Sequence, residues 1–364
     1  MTLSLYIARR FAGMLGRVFL VFFGILLLID TLEQLRRFSD AGIGLTQALE
    51  LGLLNVPSSL YRILPLILIL SAIALFLGLA RSSELVVVRA AGRSGLRFLM
   101  TPVIVALLFG ALVVAVLNPI VAGTSRLYDQ RWAELAHGDA QAFSVSEGGL
   151  WLRQGGDDGQ TVIHAGRANG EGTELYDVTF LTFDPDGLPL RRILADSAQL
   201  VPGEWRLTGA KAWTLDAQNP EAVSVVETTA NLPSDLTGDA IRDSFGTPEA
   251  VPFWQLPDFI AGLEKAGFSA RAYRVWFQME LAQPLLLAAM VLLAAGFTMR
   301  HARFGGTGMR VLVALLAGFG TFFIRNFAQV LGDNGQIPIL MAAWAPPAAA
   351  VLAAMGLLLH LEDG

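Results

Sequence analysis

The chain has 364 residues, of which 54% are hydrophobic and only 16% charged, and its formal net charge is −5. A soluble globular domain has about 25% charged residues, so this chain could not cover its surface with polar groups in water. The composition therefore excludes a soluble enzyme, a disordered chain and a secreted disulfide scaffold. The sequence also lacks Cys, which excludes disulfides and thiolate metal sites.

Charge is unevenly distributed along the chain. Residues 124–270 contain 22 Asp and Glu against 10 Lys and Arg, whereas the rest of the chain contains 9 acids and 16 bases. This contrast predicts an acidic domain inserted into a basic, apolar frame, with domains at 1–123, 124–270 and 271–364.

Six apolar runs, each of about 20 residues, are long enough to cross the hydrocarbon core of a membrane. They cover residues 11–29, 56–80, 98–122, 275–299, 311–331 and 337–359. No small-residue cleavage motif follows the first run, so the sequence predicts an uncleaved first span rather than a signal peptide. An even number of spans places both termini on the same side of the membrane.

Arginine positions predict the orientation of the spans. Arginines cluster around the start of span one and in the loops after spans two and four, at Arg9, Arg10, Arg17, Arg81, Arg89, Arg93, Arg97, Arg300, Arg303 and Arg310. Because positive charge accumulates in short cytoplasmic loops, both termini are predicted to be cytoplasmic. The acidic insert is then exported, into the periplasm if the source is a diderm bacterium.

Within the insert, apolar residues alternate with polar ones, which is typical of β-strands. Strand patterns cover residues 149–153, 161–165, 177–183, 205–215 and 222–229, with turn signals at 184–187 and 202–203. They predict a small all-β sandwich or open roll, followed by a helix at 256–266. The predicted fold is thus a polytopic α-helical membrane protein of six transmembrane helices, with an all-β domain between spans three and four.

The sequence provides no catalytic motif. Neither Lys211 nor Lys265 follows a Gly, so the phosphate-gripping Gly-Lys-Ser/Thr loop of ATPases is missing. The four His are scattered and form no zinc motif, and Ser94, in the string Gly-Arg-Ser-Gly, has no His at membrane depth to act as its base. We therefore predict no catalytic residue, metal site, cofactor or nucleic-acid partner for this chain.

The loop between spans two and three predicts a short amphipathic helix at about 82–92. Ser82 can cap it, Glu84 lies in its first turn, and Gly92 can end it. Two interpretations follow equally well from these residues. The helix either fits a groove on a cytoplasmic motor or rests on anionic lipid at the membrane surface.

Two positions carry cations where they are unexpected. Arg36 and Arg37 are adjacent at the outer end of span one, against the positive-inside trend, and Arg325 lies late in span five. Guanidinium pairs bind phosphate or carboxylate, although Arg side chains also extend toward lipid phosphates without a specific ligand. A charged group inside a span usually faces a cavity or a partner.

The order of three spans, a β-rich exported domain and three spans, with the string SELVVVRAAG at residues 83–92, resembles the LptF/LptG permeases of lipopolysaccharide export. The strings DTLEQLRR at 30–37, NVP at 55–57 and AWAP at 343–346 are more similar to the LptG branch of that family than to the LptF branch. The resemblance covers essentially the whole chain. Its most specific part is the string between spans two and three.

This resemblance implies a function, a set of partners and a set of site residues. It implies pairing with LptF, a dimer of the ATPase LptB, and a bridge through LptC and LptA, with ATP hydrolysed outside this chain. Lipopolysaccharide would enter from the outer leaflet of the inner membrane between spans one and five and rise to periplasmic β-jellyroll domains. The implied ATPase-coupling residues are Glu84, Leu85, Val88, Arg89 and Gly92, and the implied substrate-binding residues are Arg36 and Arg37. We add Arg325 to them as a substrate-binding candidate at the outer lip of the cavity.

The exported domain would then offer an apolar slot for acyl chains in a jellyroll-like fold. We expect its lining among the aromatic residues Trp151, Phe180, Phe183, Trp205 and Trp213. Asp30, Glu33 and Glu280 depart from the family pattern, because related chains carry basic residues near these positions. They imply fewer cations for lipid A. Two other function classes remain open: a permease for another lipid or a lipoprotein, and a receptor-like membrane protein with a β ectodomain.

Overall fold

A computed structural model gives the fold of the chain. It describes residues 2–38, 44–82, 84, 95–136, 143–146, 149–156, 159–169, 172–184, 187–217, 219–234, 236–237, 241, 247–265, 267–299 and 307–362. Contacts within the chain divide it into two compact units. The helical unit comprises Met1–Trp132, Glu249–Trp254 and Arg271–Gly364, and the β unit comprises Ala133–Pro248 and Gln255–Ala270. The boundary that composition predicted at residue 123 lies inside a helix.

The prediction of six membrane spans is confirmed, because six helices of the described residues are long and apolar enough to cross a membrane. Numbered in chain order, the helices are α1 (Thr2–Arg37), α2 (Leu45–Arg81), α3 (Gly95–Leu112), α4 (Asn118–Ala136), α5 (Leu256–Lys265), α6 (Arg271–Thr298), α7 (Thr307–Asp333) and α8 (Ile339–Glu362). Span three is α3 and α4 together, and α5 is the short helix predicted after the strands. Several helices continue past the apolar runs, since hydropathy marks only the part suited to hydrocarbon.

A π-helical turn joins α3 to α4. It covers Val113–Leu117, and the backbone N–H of Asn118 donates to the carbonyl of Val113, five residues earlier. An α-helix bonds four residues back instead, so this turn holds one residue more than its neighbours. Nothing in the apolar sequence of span three predicted it.

Helix α6 is the centre of the helical unit, where it packs against α2, α3, α7 and α8. Of its most apolar 18-residue window, 78% is buried, compared with 6% for α1 and 11% for α7. Glycines permit the closest helix contacts. A Cβ built on Gly110 would lie 2.5 Å from Cα of Pro284, and one on Gly318 would lie 2.6 Å from Cδ1 of Ile69.

The β unit contains one antiparallel sheet whose seven described strands pair in sequence order. The strands are β1 (Phe143–Ser146), β2 (Gly149–Gly156), β3 (Gly159–Ala168), β4 (Glu174–Phe183), β5 (Pro189–Val201), β6 (Glu204–Thr214) and β7 (Val225–Pro233). The prediction of an all-β insert is confirmed. The described strands pair into one continuous sheet, which fits the open roll of the two arrangements that the sequence left open.

A crease runs across strands β3 to β7 of this sheet. In each of these five strands, one residue at the crease has no register partner on a neighbouring strand: Gly166, Asp177, Asp196, Gly209 and Thr228. Asp177 and Gly209 have positive φ angles of 56° and 66°. On β5 the buried side chains are Ile193 and Ala195 before the crease and Ala198 after it. The alternation of side chains therefore shifts by one residue across the crease, while the buried face stays the same.

Candidate functional site

Five polar side chains meet inside the helical unit: Tyr61, Asn118, Glu280, Gln283 and Arg325 (the buried polar cluster). The Tyr61 hydroxyl donates a hydrogen bond to the Glu280 carboxylate and accepts one from the Asn118 amide at 3.5 Å. Nη2 of Arg325 donates to Oε1 of Gln283 at 3.5 Å. Polar and charged side chains at membrane depth are costly to bury, so this cluster marks a candidate functional site.

The packing of three helices explains how the cluster forms. Glu280 and Gln283 lie three residues apart on α6, which places them on one face of that helix. The other buried residues of α7 are small, namely Ala314, Gly318 and Gly332. Arg325 is therefore the long side chain that α7 inserts toward the centre, and it is only 9% exposed. The charges of Glu280 and Arg325 attract one another across this interior.

The π turn brings the fourth helix into the cluster. Asn118 directly follows this turn, and its Oδ1 accepts a hydrogen bond from the backbone N–H of Phe253 at 2.8 Å. Nε1 of Trp254 donates to the carbonyl of Ala115, inside the turn, at 3.1 Å. A π turn changes which carbonyls remain free and where the following side chains point. Here it aims Asn118 at Tyr61 and gives Trp254 an acceptor.

A cavity of about 280 Å³ lies beside the buried polar cluster. Its lining includes two cations, Arg62 and Arg325, and two acids, Glu249 and Asp333. Its neutral polar groups come from Ser58, Tyr61, Asn118, Gln283, Asn326 and Gln329. The formal charges of these four ionisable side chains balance. The two guanidiniums can bind a phosphate or carboxylate, and the acids and amides can bind hydroxyl or ammonium groups.

The sequence found only part of this site. Arg325 lies where a cavity was expected, and Glu280, noted only as a departure from the family pattern, lies at the centre. Tyr61, Arg62, Asn118 and Gln283 were missed. One signal could have found them, because each is a polar residue close to a proline inside a span: Pro57, Pro65, Pro119 and Pro284. Proline frees backbone groups that polar neighbours can satisfy.

Arg36 and Arg37 do not belong to the described lining of this cavity. Both are exposed at the end of α1, and Arg37 forms an ion pair of 3.2 Å with Glu33, one turn earlier. Near the same end, Gln34 donates to the Tyr128 hydroxyl at 2.9 Å. This arrangement fixes the end of α1 against α4 and leaves the Arg36 guanidinium open to an anion.

Glu84, the acid of the predicted coupling helix, contacts the first helix. Its carboxylate lies 2.6 Å from Nη1 of Arg10 and accepts hydrogen bonds from the hydroxyls of Ser82 at 2.6 Å and Tyr6 at 3.2 Å. Burial raises the pKa of Glu84, but the hydrogen bonds from Ser82 and Arg10 outweigh it, so its pKa lies below the ordinary value of 4.5. Glu84 is therefore ionised at neutral pH.

The other predicted coupling residues are Leu85, Val88, Arg89 and Gly92, and all of them lie outside the described residues. The helix predicted at about 82–92 stays a prediction for the same reason.

The aromatic residues expected to line a slot in the β unit do not share one face of the sheet. Phe180 and Trp205 are fully buried and make an edge-to-face contact with ring centroids 6.2 Å apart. The strand registers place Trp151, Phe183 and Trp213 on the opposite face. These three residues therefore cannot line one surface together with Phe180 and Trp205, because strand neighbours alternate and the crease shifts that alternation. The role of the five aromatics as acyl-chain lining stays a prediction. Phe180 and Trp205 pack in the core.

On the opposite face, Trp213 belongs to a charged cluster. Its indole N–H donates to Glu221 at 2.6 Å, and Nζ of Lys211 lies 4.8 Å from the centroid of its ring. The hydrogen bonds from Lys211 and Trp213 hold the pKa of Glu221 below its usual range. This cluster is polar, which does not suit an acyl chain.

In the part of the chain that the structure describes, six helices suited to crossing a membrane, a polar cavity among some of them and a β unit inserted after the third define a multi-pass membrane protein. The family of lipopolysaccharide export system permeases LptF/LptG matches residues 5–360. Because this match covers nearly the whole chain, the chain belongs to that family.

Individual relatives agree with the family match. The lipopolysaccharide export system permease protein LptG of Haemophilus influenzae is 23% identical over 355 residues, which are 95% of this chain and 94% of the relative. The protein of the same name from Escherichia coli K12 is 24% identical over 339 residues, 92% of this chain and 91% of the relative. The similarity therefore includes both the spans and the insert.

Proposed function

We propose that the chain is the LptG-type permease subunit of an ATP-driven lipopolysaccharide exporter in the inner membrane of a diderm bacterium. The observation that carries this proposal is the family match over residues 5–360, which includes the six spans and the β insert. Similar proteins are named as lipopolysaccharide export system permeases. The termini are cytoplasmic, and the β unit lies in the periplasm, in keeping with the arginine distribution.

The chain itself hydrolyses no ATP and carries no cofactor. Neither of its two Lys follows a Gly, so it has no phosphate loop, and a separate dimer of the ATPase LptB supplies the energy. Glu84 and the segment after it form the contact with this ATPase. LptF is the second permease, and LptC and LptA continue the path in the periplasm.

Two faces of the helical unit suit the second permease and the substrate. Only 6% of the apolar window of α1 and 11% of that of α7 are buried, although both helices are strongly apolar. Exposed side chains on α7 include Phe319, Phe323 and Phe327, which form a continuous apolar strip. We assign these faces to the partner permease and to the acyl chains that pass between the two subunits.

Cations near this path bind the phosphates of lipid A. Arg36 is exposed at the end of α1, and Arg62 and Arg325 line the cavity. Arginine binds phosphate through paired hydrogen bonds, which supports this role. Because Glu249 and Asp333 balance the cavity arginines, the cavity favours a headgroup with both anionic and hydroxyl or ammonium groups.

Co-purification from the native membrane tests the assembly. The tagged chain, extracted in mild detergent, should bring with it an ATPase, a second six-span permease and lipopolysaccharide. Recovery of the chain without an ATPase would contradict the exporter and favour a receptor-like protein. Depletion of the chain should leave lipopolysaccharide in the inner membrane, whereas retention of lipoproteins instead would identify a lipoprotein exporter.

A pair of charge-removal variants tests the anion site. Replacing Arg36 and Arg37 by Gln should slow ATP-dependent release of lipopolysaccharide from proteoliposomes without preventing assembly. The matched control replaces Arg9 and Arg17, which lie on the same helix near its other end, by Gln. Equal rates for the two double variants would contradict a phosphate site at Arg36 and Arg37.

A further inference from the structure

We propose that Arg10 is a positioning residue for Glu84, so that movement of the ATPase-binding segment passes directly into the first span. This inference rests on the proposed function, because it takes Glu84 as part of the ATPase contact. It adds a link within this chain between that contact and α1. The link consists of Tyr6, Arg10, Ser82 and Glu84 (the α1 clasp).

The geometry of the clasp engages both oxygens of the Glu84 carboxylate. Nη1 of Arg10 lies 2.6 Å from Oε1 and 2.8 Å from Oε2. The hydroxyl of Ser82 donates to Oε1 at 2.6 Å, and that of Tyr6 donates to Oε2 at 3.2 Å. Nη1 of Arg10 also lies 2.6 Å from the Tyr6 hydroxyl. Charge-assisted hydrogen bonds of this length are about twice as strong as neutral ones, so the carboxylate has a defined orientation.

The clasp is built on a fixed part of α1. Tyr6 and Arg10 are four residues apart and therefore share one face of the helix. Ile7 and Phe11, beside them in the sequence, are 2% and 0% exposed and belong to the apolar core of the helical unit. The backbone that carries Arg10 is thus anchored, while its guanidinium reaches outward to Glu84.

Past the clasp, α1 packs mainly along α2 and leaves most of its apolar surface exposed. Only 6% of its apolar window is buried, and its extensive described contacts are with α2 and, to a lesser extent, α3. A partner that pulls Glu84 therefore pulls on Arg10 and, through it, on α1 for as long as the hydrogen bonds of the clasp hold. If the clasp opens, the pull no longer reaches α1.

The side chains of the clasp remain accessible to a partner. The Arg10 and Glu84 side chains are 29% and 33% exposed. An exposed ion pair contributes little to folding, so losing it should affect coupling more than assembly. This difference separates a positioning role from a merely structural one.

The first test compares neighbouring arginines in the complete exporter reconstituted in proteoliposomes. Arg10→Gln should leave assembly and basal ATP hydrolysis within about twofold of wild type and lower the lipopolysaccharide released per ATP by about tenfold. Arg9→Gln removes the same charge from an exposed neighbour and should leave this ratio unchanged. Arg10→Lys, which keeps a cation within reach of the carboxylate, should recover much of it.

A distance measurement tests the clasp independently of transport. The chain has no Cys, so spin labels can be attached at cysteines introduced for the exposed residues Leu5 and Arg81, with cysteine-free partner subunits. The distance distribution should be narrow in the wild-type background and broader with Arg10→Gln. If Arg10→Gln does not assemble, Tyr6→Phe, which removes one hydroxyl, replaces it in both measurements and should give a smaller change of the same sign.

The outcomes distinguish the two proposals. If the wild-type complex releases no lipopolysaccharide or contains no ATPase, the proposed function fails, while the label distances still report on the clasp. If the wild-type complex exports and Arg10→Gln exports the same amount per ATP with an unchanged distance distribution, the inference is overturned and the proposed function stands. The inference is also overturned if Arg9→Gln lowers the ratio as much as Arg10→Gln does.

Discussion

Replacing Gly110 by Ala should push apart helices α3 and α6 of the helical unit. A Cβ at this position would lie 2.5 Å from Cα, 3.0 Å from Cβ and 3.2 Å from N of Pro284. Carbon atoms in contact are normally about 3.5–4.0 Å apart, so α3 must move by roughly 1 Å. Pro284 cannot retreat, because α6 is packed against α2, α7 and α8 on its other sides.

The size of the effect follows from two opposing contributions. Overpacking of this kind costs about 1–3 kcal/mol. Alanine is more favourable than glycine in a helix by about 0.5–1 kcal/mol, which offsets part of this cost. A matched control isolates the overlap. Gly123 lies further along the same span, where an added Cβ would meet nothing within 4 Å, so Gly123→Ala should keep the helical gain alone.

Thermal unfolding of the purified complex in detergent, followed by tryptophan fluorescence, measures the difference. We expect Gly110→Ala to unfold below wild type and Gly123→Ala at or above it, with about 1–3 kcal/mol between the two variants. Equal midpoints would refute the close approach of α3 to α6. A lower midpoint for Gly123→Ala would show that glycine is needed in this span for another reason.

Three further predictions concern other parts of the chain. Tyr61→Phe removes the donor to the buried Glu280 carboxylate and should destabilise the helical unit by about 1.5–3 kcal/mol, measured by the same thermal assay. Gly209→Ala should destabilise the β unit by at least about 1–2 kcal/mol, measured by limited proteolysis, because residue 209 has φ of 66° and a Cβ there would lie 2.2 Å from a carboxylate oxygen of β5. The stability difference between wild type and Arg10→Gln should shrink as pH falls below 4.5 and vanish below the lowered pKa of Glu84. The reason is that protonation of Glu84 removes the negative charge that attracts the Arg10 guanidinium.

Each of these predictions has a control or a contradicting result. A Tyr61→Phe variant that unfolds at the wild-type midpoint would contradict the hydrogen bond from Tyr61 to Glu280. Gly203→Ala has a comparable φ of 86° but open space around it, so it should be cleaved less readily than Gly209→Ala. A stability difference for Arg10→Gln that persists undiminished at low pH would show that packing, and not charge, is responsible.

The sequence predicted the spans well because a membrane span is marked by the hydropathy of about 20 consecutive residues, which can be read without knowing the fold. It also predicted Arg325, because a lone cation inside a span is anomalous wherever it points. The partners of Arg325 were not predictable in the same way. Whether Tyr61 and Asn118 face each other depends on the rotation of two helices about their axes, and a π turn changes one of those rotations.

The β aromatics show a second limit of prediction. Phe180 and Phe183 are three residues apart, so strand alternation alone could have placed them on opposite faces. Trp205 and Trp213 are eight apart and should share a face in a regular strand. They do not, because the crease at residue 209 shifts the alternation between them. Counting residues along β6 therefore assigns Trp213 to the wrong face of the sheet, because the crease at one glycine with a positive φ shifts the alternation.

The π turn at Val113–Leu117 also bears on how relatives of this chain should be aligned. A π turn uses one residue more than an α-helical turn for nearly the same rotation, so a relative with one residue fewer between Gly110 and Asn118 would have an ordinary α-helical turn here and keep the orientation of the second half of its third span. Its residue at the position of Asn118 would still point toward Tyr61. A single-residue gap in this stretch of an alignment therefore marks the loss of the π turn, and closing it would shift every later residue of the span by one position.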